Sequence, residues 1–209
     1  MDITTKIKDE LIKTVGNKQY NGWDNRTSFG YHSYNVGNVN IVGQRNPKIR
    51  IDDFRKHIDF TGKNVIDFGC NVGAMLHHLT EIKSGLGLDY DTYCITAATE
   101  ISNILERDNL TYRVHDFDKD GYDILKGKID VDPDIILLLS LGSWVTSWEE
   151  LYKTALDTGA TIILEINNED EGKPQIEFFK GNGCDVKLIV DNSLDDSTGN
   201  NRRKTYLVS

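Results

Sequence analysis

A glycine turn preceded by a carboxylate is the stretch of this sequence with the clearest chemical content. It reads VIDFGCNVGAMLHHL from Val65 to Leu79, an apolar run that breaks at Gly69 and Gly73 and resumes with helical spacing. Glycine permits positive φ and a close approach to the backbone, so such a turn after a strand typically holds a nucleotide. Asp67 lies just before the turn, where a carboxylate suits a ligand that carries positive charge.

The turn differs from the dinucleotide fingerprint in two respects. That fingerprint is G-x-G-x-x-G, whereas Asn71, which also tolerates the left-handed conformation, stands here between two separated glycines. A pyrophosphate would also sit on a helix amino terminus that favours negative charge, and Asp67 opposes an anion there. S-adenosylmethionine carries both an ammonium and a sulfonium, so the turn predicts a site for this methyl donor.

Short apolar segments separated by helical lengths predict the scaffold around this turn. Their pattern is typical of a parallel sheet buried on both faces, and therefore of an α/β fold. The segment between the last two apolar runs is too short and polar for a crossover helix, which predicts an antiparallel pair. The predicted strands are residues 64–68, 84–89, 111–115, 134–139, 161–166, 185–190 and 204–208, and the best supported helices are 92–107 and 147–157.

The carboxyl ends of these strands, where ligands of such sheets bind, are acidic. Asp89 ends the second strand about 20 positions after the glycine turn, where an acidic residue accepts hydrogen bonds from both ribose hydroxyls. The third strand is followed by Asp116 and Phe117, a carboxylate and an aromatic ring for an adenine. The fifth ends in Glu165, a candidate substrate ligand or general base.

The residues before the first strand have a different texture. Apolar residues four apart from Ile3 to Val15 predict an opening helix, and Ile51, Phe54 and Ile58 predict a short one. Between them, residues 16–47 are rich in Gly, Asn and aromatics, which predicts a long structured loop. We interpret residues 20–45 as a lid over donor and acceptor, because such loops exclude water and contact substrates. Its predicted wall residues are Trp23, Tyr31, His32 and Tyr34.

Two lid residues are candidates for chemistry. His32 is a candidate catalytic residue because it lies in a loop rich in glycine and aromatics, although a structural role is the alternative. Arg45 has a planar guanidinium that suits a carboxylate of the donor or of an acidic acceptor, and a salt bridge to a surface acid is the alternative. His77 and His78 are adjacent on a helix and point in different directions, so we expect surface or packing roles.

Composition bounds the function classes. The chain has 209 residues, a length that fits one domain over residues 1–209. Its formal net charge of -9 argues against strong non-specific binding to nucleic acid. Three cysteines without metal-ligand spacing predict neither a disulfide framework nor a metal site. The amino terminus has no apolar core of signal-peptide length and no window approaches a membrane span, so we expect a cytoplasmic protein without a membrane partner.

The motifs VIDFGCNVG, GLGLDYD and VHDFD resemble those of the class I S-adenosylmethionine-dependent methyltransferases, over roughly residues 64–209. The resemblance implies a Rossmann-like, doubly wound, mostly parallel seven-stranded sheet with an antiparallel last strand. It also implies S-adenosyl-L-methionine as cofactor, with Asp89 on the ribose and Asp116 on the adenine amine. Asn71 departs from the family's middle glycine. The residues predicted to contact the donor are Asp67, Gly69, Cys70, Asn71, Gly73, Asp89, Tyr90, Asp116, Phe117, Arg45 and Leu139.

The acceptor is predicted mainly from motifs that the sequence lacks. After the fourth strand, SLGSW matches neither the Asn-Pro-Pro-Tyr type of segment used on amino groups nor the Pro-Cys nucleophile used on pyrimidine carbon. The default acceptor is therefore a hydroxyl or carboxylate of a small molecule. The lead-in GQRNPKIRIDDFRKHIDFTGK also resembles transferases that modify the wobble uridine of tRNA, an alternative that the acidic charge disfavours. A non-catalytic module that only binds S-adenosylmethionine is the other alternative.

Overall fold

The computed structural model describes residues 1–15, 30–122, 132–199 and 203–209, and the predicted wall residue Trp23 lies outside them. Helices and strands alternate along most of the chain. The helices are α1 (Ile3–Val15), α2 (Pro47–Phe54), α3 (Ala74–His78), α4 (Thr92–Ile104), α5 (Trp148–Asp157) and α6 (Glu169–Gly181). The strands are β1 (Asn64–Phe68), β2 (Ser84–Asp89), β3 (Leu110–Val114), β4 (Ile135–Leu139), β5 (Thr161–Glu165), β6 (Val186–Val190) and β7 (Thr205–Val208).

The seven strands form one sheet in the order β3-β2-β1-β4-β5-β7-β6. β1 pairs parallel with both β2 and β4, whereas β7 runs antiparallel to both β5 and β6. The fold prediction is therefore confirmed: the protein is a Rossmann-like, mostly parallel α/β sheet with a reversed last strand. The strand order reverses between β1 and β4, so the crevice that usually takes a ligand lies outside the carboxyl ends of these strands.

Apolar residues of the central strands alternate between two cores. In β4, Ile136 and Leu138 belong to the core that contains α5 residues, whereas Ile135 and Leu137 belong to the core that contains α2 and α3 residues. Successive strand side chains point to opposite faces, so a strand with five apolar residues needs a cover of helices on both sides. The continuous apolar runs that predict a sheet covered on both faces are therefore explained by these two cores.

Helix boundaries differ more from the sequence predictions than strand boundaries do. α2 begins at Pro47 after Asn46, whose side chain accepts the Lys48 N–H, so this helix starts and ends earlier than predicted. α4 begins at Thr92, as predicted, is capped by the Asp91 carboxylate, and ends at Ile104, three residues earlier than predicted. Polar side chains next to a helix compete for the cap position, which sequence alone does not resolve. No helix of the described residues is long and apolar enough to cross a membrane.

The described part of the predicted lid is packed into the protein. Residues 30–46, here called the strap, fold back on themselves, with Tyr34 and Ile41 exchanging backbone hydrogen bonds of 2.9 and 2.8 Å. Tyr34, Ile41 and Arg45 are almost completely buried, and a third core joins the strap to α1 and α4. The strap is thus part of the core and not a loop over its surface.

Candidate active site

The glycine turn between β1 and α3, residues 69–73, has three residues in the left-handed region. Gly69 has φ of 72°, Asn71 of 52° and Gly73 of 71°. Asn71 is accommodated at the position where glycine is more usual because its side-chain oxygen accepts the Val72 N–H at 2.8 Å. A short polar side chain that bonds locally is what makes the left-handed conformation accessible without glycine.

The backbone N–H groups of this turn are all used within the protein. Residues 69–73 therefore offer no spare N–H group to a pyrophosphate, which the dinucleotide-binding turns require. This geometry agrees with the sequence argument against a dinucleotide. The acceptors are the Leu88 carbonyl for Gly69 and Cys70, Asp89 Oδ2 for Asn71, Asn71 Oδ1 for Val72, and the Cys70 carbonyl for Gly73.

Asp67 presents a buried carboxylate at the end of β1. It is 2% exposed, and no hydrogen bond to its carboxylate comes from the described residues. Burial raises the pKa of Asp67 to about 7, Arg50 opposes this rise, and Asp89 adds to it. A buried carboxylate without a hydrogen-bond donor is costly, and a cationic ligand group would satisfy it.

Asp89 ends β2 and holds the glycine turn against that strand. Its Oδ2 accepts the Asn71 N–H at 2.8 Å, and its Oδ1 accepts the Asp91 N–H at 3.0 Å. Burial raises the pKa of Asp89 to about 6, although these backbone hydrogen bonds oppose the rise. Each carboxylate oxygen has a further lone pair, so the group retains capacity for two ribose hydroxyls.

Residues predicted for the adenine differ in their surroundings. Tyr90 is 50% exposed, and burial together with the charges of Asp89, Asp91 and Asp116 raises the pKa of its phenol. Asp116 accepts hydrogen bonds from its own turn and from Lys119, as a turn-forming residue does. Phe117 is buried against Phe68, with ring centroids 5.3 Å apart. Tyr90 and Asp116 thus lie near each other, while Phe117 packs inward.

Two further predicted donor contacts occupy packing positions. Cys70 is buried, and a Cβ added to Gly87 would lie 2.7 Å from its sulfur, so the thiol sits against β2. Burial raises the pKa of this thiol well above its usual value, which keeps it protonated. Leu139 is the half-buried last residue of β4 and pairs in register with Glu165. All three cysteines are free.

Glu165 lies at the centre of a buried charge cluster. Its carboxylate accepts hydrogen bonds from Arg50 Nη2 at 2.8 Å, from Arg203 Nη1 at 3.1 Å and from Ser140 Oγ at 2.6 Å. Burial would raise the pKa of Glu165, but the charges of Arg50, Arg203 and Arg45 and the hydrogen bond from Ser140 together outweigh it and lower the pKa to about 2. A carboxylate held in this way is a weak base, so its geometry disfavours the predicted catalytic role.

Arg45 is fully buried in the same cluster. Its Nη1 lies 2.9 Å from Asp195 Oδ1, and its Nη2 lies 3.7 Å from Asp196 Oδ2. The salt-bridge interpretation is thus the one the geometry supports, but the partners are buried acids of the segment between β6 and β7 and not surface acids. These ion pairs attach the strap to the connection between β6 and β7.

His32 lies beside the arginines and is almost entirely buried. Burial lowers the pKa of this imidazole well below its usual value, and Arg50 and Arg45 lower it further, so the ring is neutral. Its Nδ1 has no hydrogen-bond partner among the described residues. His77 and His78 are buried as well, and burial lowers their pKa values to about 3 and about 4. Their packing role therefore holds and the surface alternative does not.

Several residues of this region were not singled out by sequence. Arg50 lies among the apolar residues that predict the short helix, and Asp195 and Asp196 lie in a polar segment between two strands, so their types and spacing give no signal of a buried cluster. Ser140 has φ of 60°, which lies in the left-handed region. The small residues of SLGSW are compatible with this conformation but do not predict it. Among the described residues, no cluster of three or more His, Cys, Asp or Glu has the geometry to hold a metal ion.

Comparison with known proteins gives matches at the level of structure. Neither the models of protein families nor the curated proteins contain a match to this sequence. A precorrin-6y C5,15-methyltransferase from Geobacter metallireducens aligns over 84% of this chain and 94% of its own, with 14% identity and a TM-score of 0.60. A SAM dependent methyltransferase from Aquifex aeolicus aligns over 79% and 90%, with 14% identity and a TM-score of 0.57.

A third structure has a different activity in its name. A precorrin 8W decarboxylase from Methanobacterium thermoautotrophicum aligns over 80% of this chain and 91% of its own, with 18% identity and a TM-score of 0.59. At such identities a structural match establishes fold, while activity has to be argued from the site. This chain has the fold of the class I S-adenosylmethionine-dependent methyltransferases, as its motifs predicted.

Proposed function

We propose that this protein is an S-adenosylmethionine-dependent methyltransferase that acts on a hydroxyl group of a small molecule. The observation that carries the donor assignment is Asp67, a buried carboxylate that accepts no hydrogen bond from the described residues. It stands beside a turn whose N–H groups are already used, so the crevice favours a cationic ligand over an anionic one.

The residues around the crevice fit this donor part by part. Asp67 would face its positively charged methionine end, and Asp89 would accept the ribose hydroxyls with its remaining lone pairs. Tyr90, half exposed and close to Asp116, would flank the adenine. When bound, S-adenosylmethionine supplies an electrophilic methyl group on a sulfonium. The contribution of the protein is to orient the two reactants and to exclude water.

Charge balance in the buried cluster favours a neutral acceptor. Arg45, Arg50 and Arg203 are in ion pairs with Glu165, Asp195 and Asp196, so three guanidinium groups face three carboxylates. An acceptor carboxylate brought beside this cluster would add an anion that none of these three guanidinium groups, each already in an ion pair, is left to neutralise, which is costly in a buried place. A hydroxyl carries no such charge. We therefore favour the hydroxyl over the carboxylate.

His32 is the candidate group to accept a hydrogen bond from that hydroxyl. Its imidazole is neutral and its Nδ1 lacks a partner among the described residues, while its lowered pKa makes it a weak base that would orient the hydroxyl. Trp144 follows β4 and is 79% exposed, so an aromatic face is available near the carboxyl ends of the strands. Such a surface suits an acceptor with an apolar or planar part.

Donor binding is the first test of this proposal. Calorimetry of the purified protein should detect S-adenosylmethionine and S-adenosylhomocysteine but not NAD, because the turn lacks N–H donors for a pyrophosphate. Incubation with methyl-labelled donor and separated small-molecule, RNA and protein fractions should label the small-molecule fraction. Label in RNA would favour the tRNA alternative. Binding of both ligands without any labelled product would favour a non-catalytic module, and binding of NAD alone would refute the donor assignment.

A further inference from the structure

Tyr34 is a residue of the strap whose buried side chain contacts the glycine turn. Its backbone is fixed by the hydrogen bonds with Ile41, and its ring is 0% exposed. The Tyr34 hydroxyl lies 2.8 Å from the carbonyl oxygen of Val72, which is the fourth residue of the turn. A fully buried ring cannot line an open crevice, so Tyr34 meets the turn from the protein interior and not as a wall of the ligand site.

The single hydrogen of this hydroxyl is assigned by distance. His77 Nδ1 is the other neighbour, at 3.3 Å, so the shorter contact to the Val72 carbonyl is the bond that Tyr34 donates. The ring also contacts two imidazoles, with its centroid 5.8 Å from that of His77 and 5.7 Å from that of His78. The next residue of the strap adds a bond, since the Asn35 N–H donates to His78 Nε2 at 3.0 Å.

We infer that Tyr34 is a positioning residue for the methyl donor. Its hydroxyl fixes the backbone of the glycine turn at Val72 and thereby holds the turn in the conformation that binds the donor. Val72 lies between Asn71 and Gly73, both in the left-handed region. Asn71 has a Cβ and so has an intrinsic tendency to leave this conformation. A bond to the adjoining carbonyl opposes that rearrangement. The inference rests on the proposed function, because it assumes that the turn binds the donor.

The effect of Tyr34 on a ligand would pass through Asp89. The Asn71 N–H bonds Asp89 Oδ2, so a rotation of the turn at residues 71–72 would remove one of the two backbone donors that orient this carboxylate. Asp89 is the residue assigned to the ribose. A tyrosine that never touches the donor is thereby connected to it through one carbonyl, one N–H group and one carboxylate.

A second tyrosine supports the turn more weakly. Tyr112 of β3 is buried, and its hydroxyl lies 3.4 Å from the Gly73 carbonyl oxygen. Its ring fills the space beside Gly73, where an added Cβ would lie 2.6 Å from the ring. Because its hydrogen bond is long, the loss of this hydroxyl should matter less than the loss of the Tyr34 hydroxyl.

Tyrosine-to-phenylalanine variants test the inference, because each removes a hydroxyl and leaves the ring. Tyr34→Phe should weaken binding of S-adenosylhomocysteine by about fivefold, the value of one net hydrogen bond, and Tyr112→Phe should weaken it less. Tyr152→Phe is the matched control: this tyrosine of α5 is fully buried, and its hydroxyl bonds Gln175 of α6 at 2.9 Å. The control should lose comparable stability and keep the affinity of the wild type.

The measurements are calorimetric affinity for S-adenosylhomocysteine, melting temperature, and the amide resonances of Gly69 and Gly73 in a ¹⁵N-labelled sample. Tyr34→Phe should shift these glycine resonances, and Tyr152→Phe should not. An unchanged affinity in a folded Tyr34→Phe protein would overturn the inference alone. So would an equal loss of affinity in Tyr152→Phe, because the effect would then follow general stability. A wild type that binds no donor would overturn the proposed function, and the inference with it.

Discussion

Replacing Asp67 by asparagine should make this protein more stable and a poorer binder of its donor. The carboxylate is 2% exposed and accepts no hydrogen bond from the described residues, so its ionised form is costly in the folded state. Asparagine has nearly the same shape and carries no charge. The same substitution removes the negative charge that we assign to the cationic end of the donor, so gain and loss should appear together.

The magnitude follows from the pKa of Asp67. Folding raises it from 3.8 to about 7, so the folded state holds its proton more tightly than the unfolded state does. Stability is therefore lost as the pH rises from about 4 to about 7 and changes little above that. The full loss is on the order of 4 kcal/mol, at about 1.4 kcal/mol per pKa unit. The advantage of Asp67→Asn should be small at pH 4, grow through this window and level off near pH 7.

Urea unfolding at a series of pH values measures this advantage, and Asp108→Asn serves as the control because that carboxylate is exposed. Calorimetry with S-adenosylhomocysteine near pH 7.5 measures the second effect. Loss of a charged hydrogen-bond partner costs roughly 1.5 to 3 kcal/mol, so affinity should fall roughly 10- to 100-fold. A variant less stable than the wild type at pH 7 would refute the idea of an unpartnered carboxylate. Unchanged affinity would refute its assignment to the donor.

Two further substitutions test the other carboxylates. Asp89→Ala should weaken donor binding by roughly 1.5 to 3 kcal/mol in calorimetry, because the ribose hydroxyls and the Asn71 N–H lose their acceptor; wild-type affinity would contradict the ribose assignment. Glu165→Gln should destabilise the protein by roughly 3 to 5 kcal/mol in urea unfolding near pH 7, because Arg50 and Arg203 lose their counter-charge. Folding lowers the pKa of Glu165 from 4.5 to about 2, so its stabilisation is complete above about pH 5 and is lost as the pH falls towards 2. A stability difference that stayed constant down to pH 2 would contradict the ion-pair role.

The sheet and the conformation of the glycine turn were predictable because their signals are local in sequence. The apolar run of β4 predicts a strand covered on both faces. The predicted start of this strand differs from the observed one by a single residue. Asp67, Gly69 and Gly73 form one continuous motif, and Asp89 follows at a fixed distance. These residues act through backbone conformation and strand ends, which are properties of short segments.

The charge cluster was not predictable, because its members are distant in sequence and each alone has a bland interpretation. Arg50 and Glu165 are 115 positions apart, and Arg45 and Asp195 are 150 apart. A charged residue is exposed in most proteins, so the default expectation for each of them is the surface. The antiparallel return of β7 brings Arg203 beside the end of β5, a contact that depends on the whole fold and not on any local pattern. The buried contact of Tyr34 with Val72 was not predictable for the same reason, because it joins positions 38 apart. Composition alone suggested that Tyr34 lines the ligand site.

The positive charge of Arg50 acts on two carboxylates, one near the end of β5 and one near the end of β1. It is hydrogen-bonded to Glu165 at the end of β5, and it also lowers the pKa of Asp67 at the end of β1. This lowering is smaller than the effect of burial, because Asp67 still has a pKa near 7. A guanidinium that already pairs with Glu165 at 2.8 Å and with Asp195 at 3.8 Å thus leaves Asp67 incompletely compensated. The ion pair that anchors α2 to the sheet therefore coexists with an incompletely compensated acid beside the glycine turn, and under the proposed function that acid gives the crevice its preference for a cation.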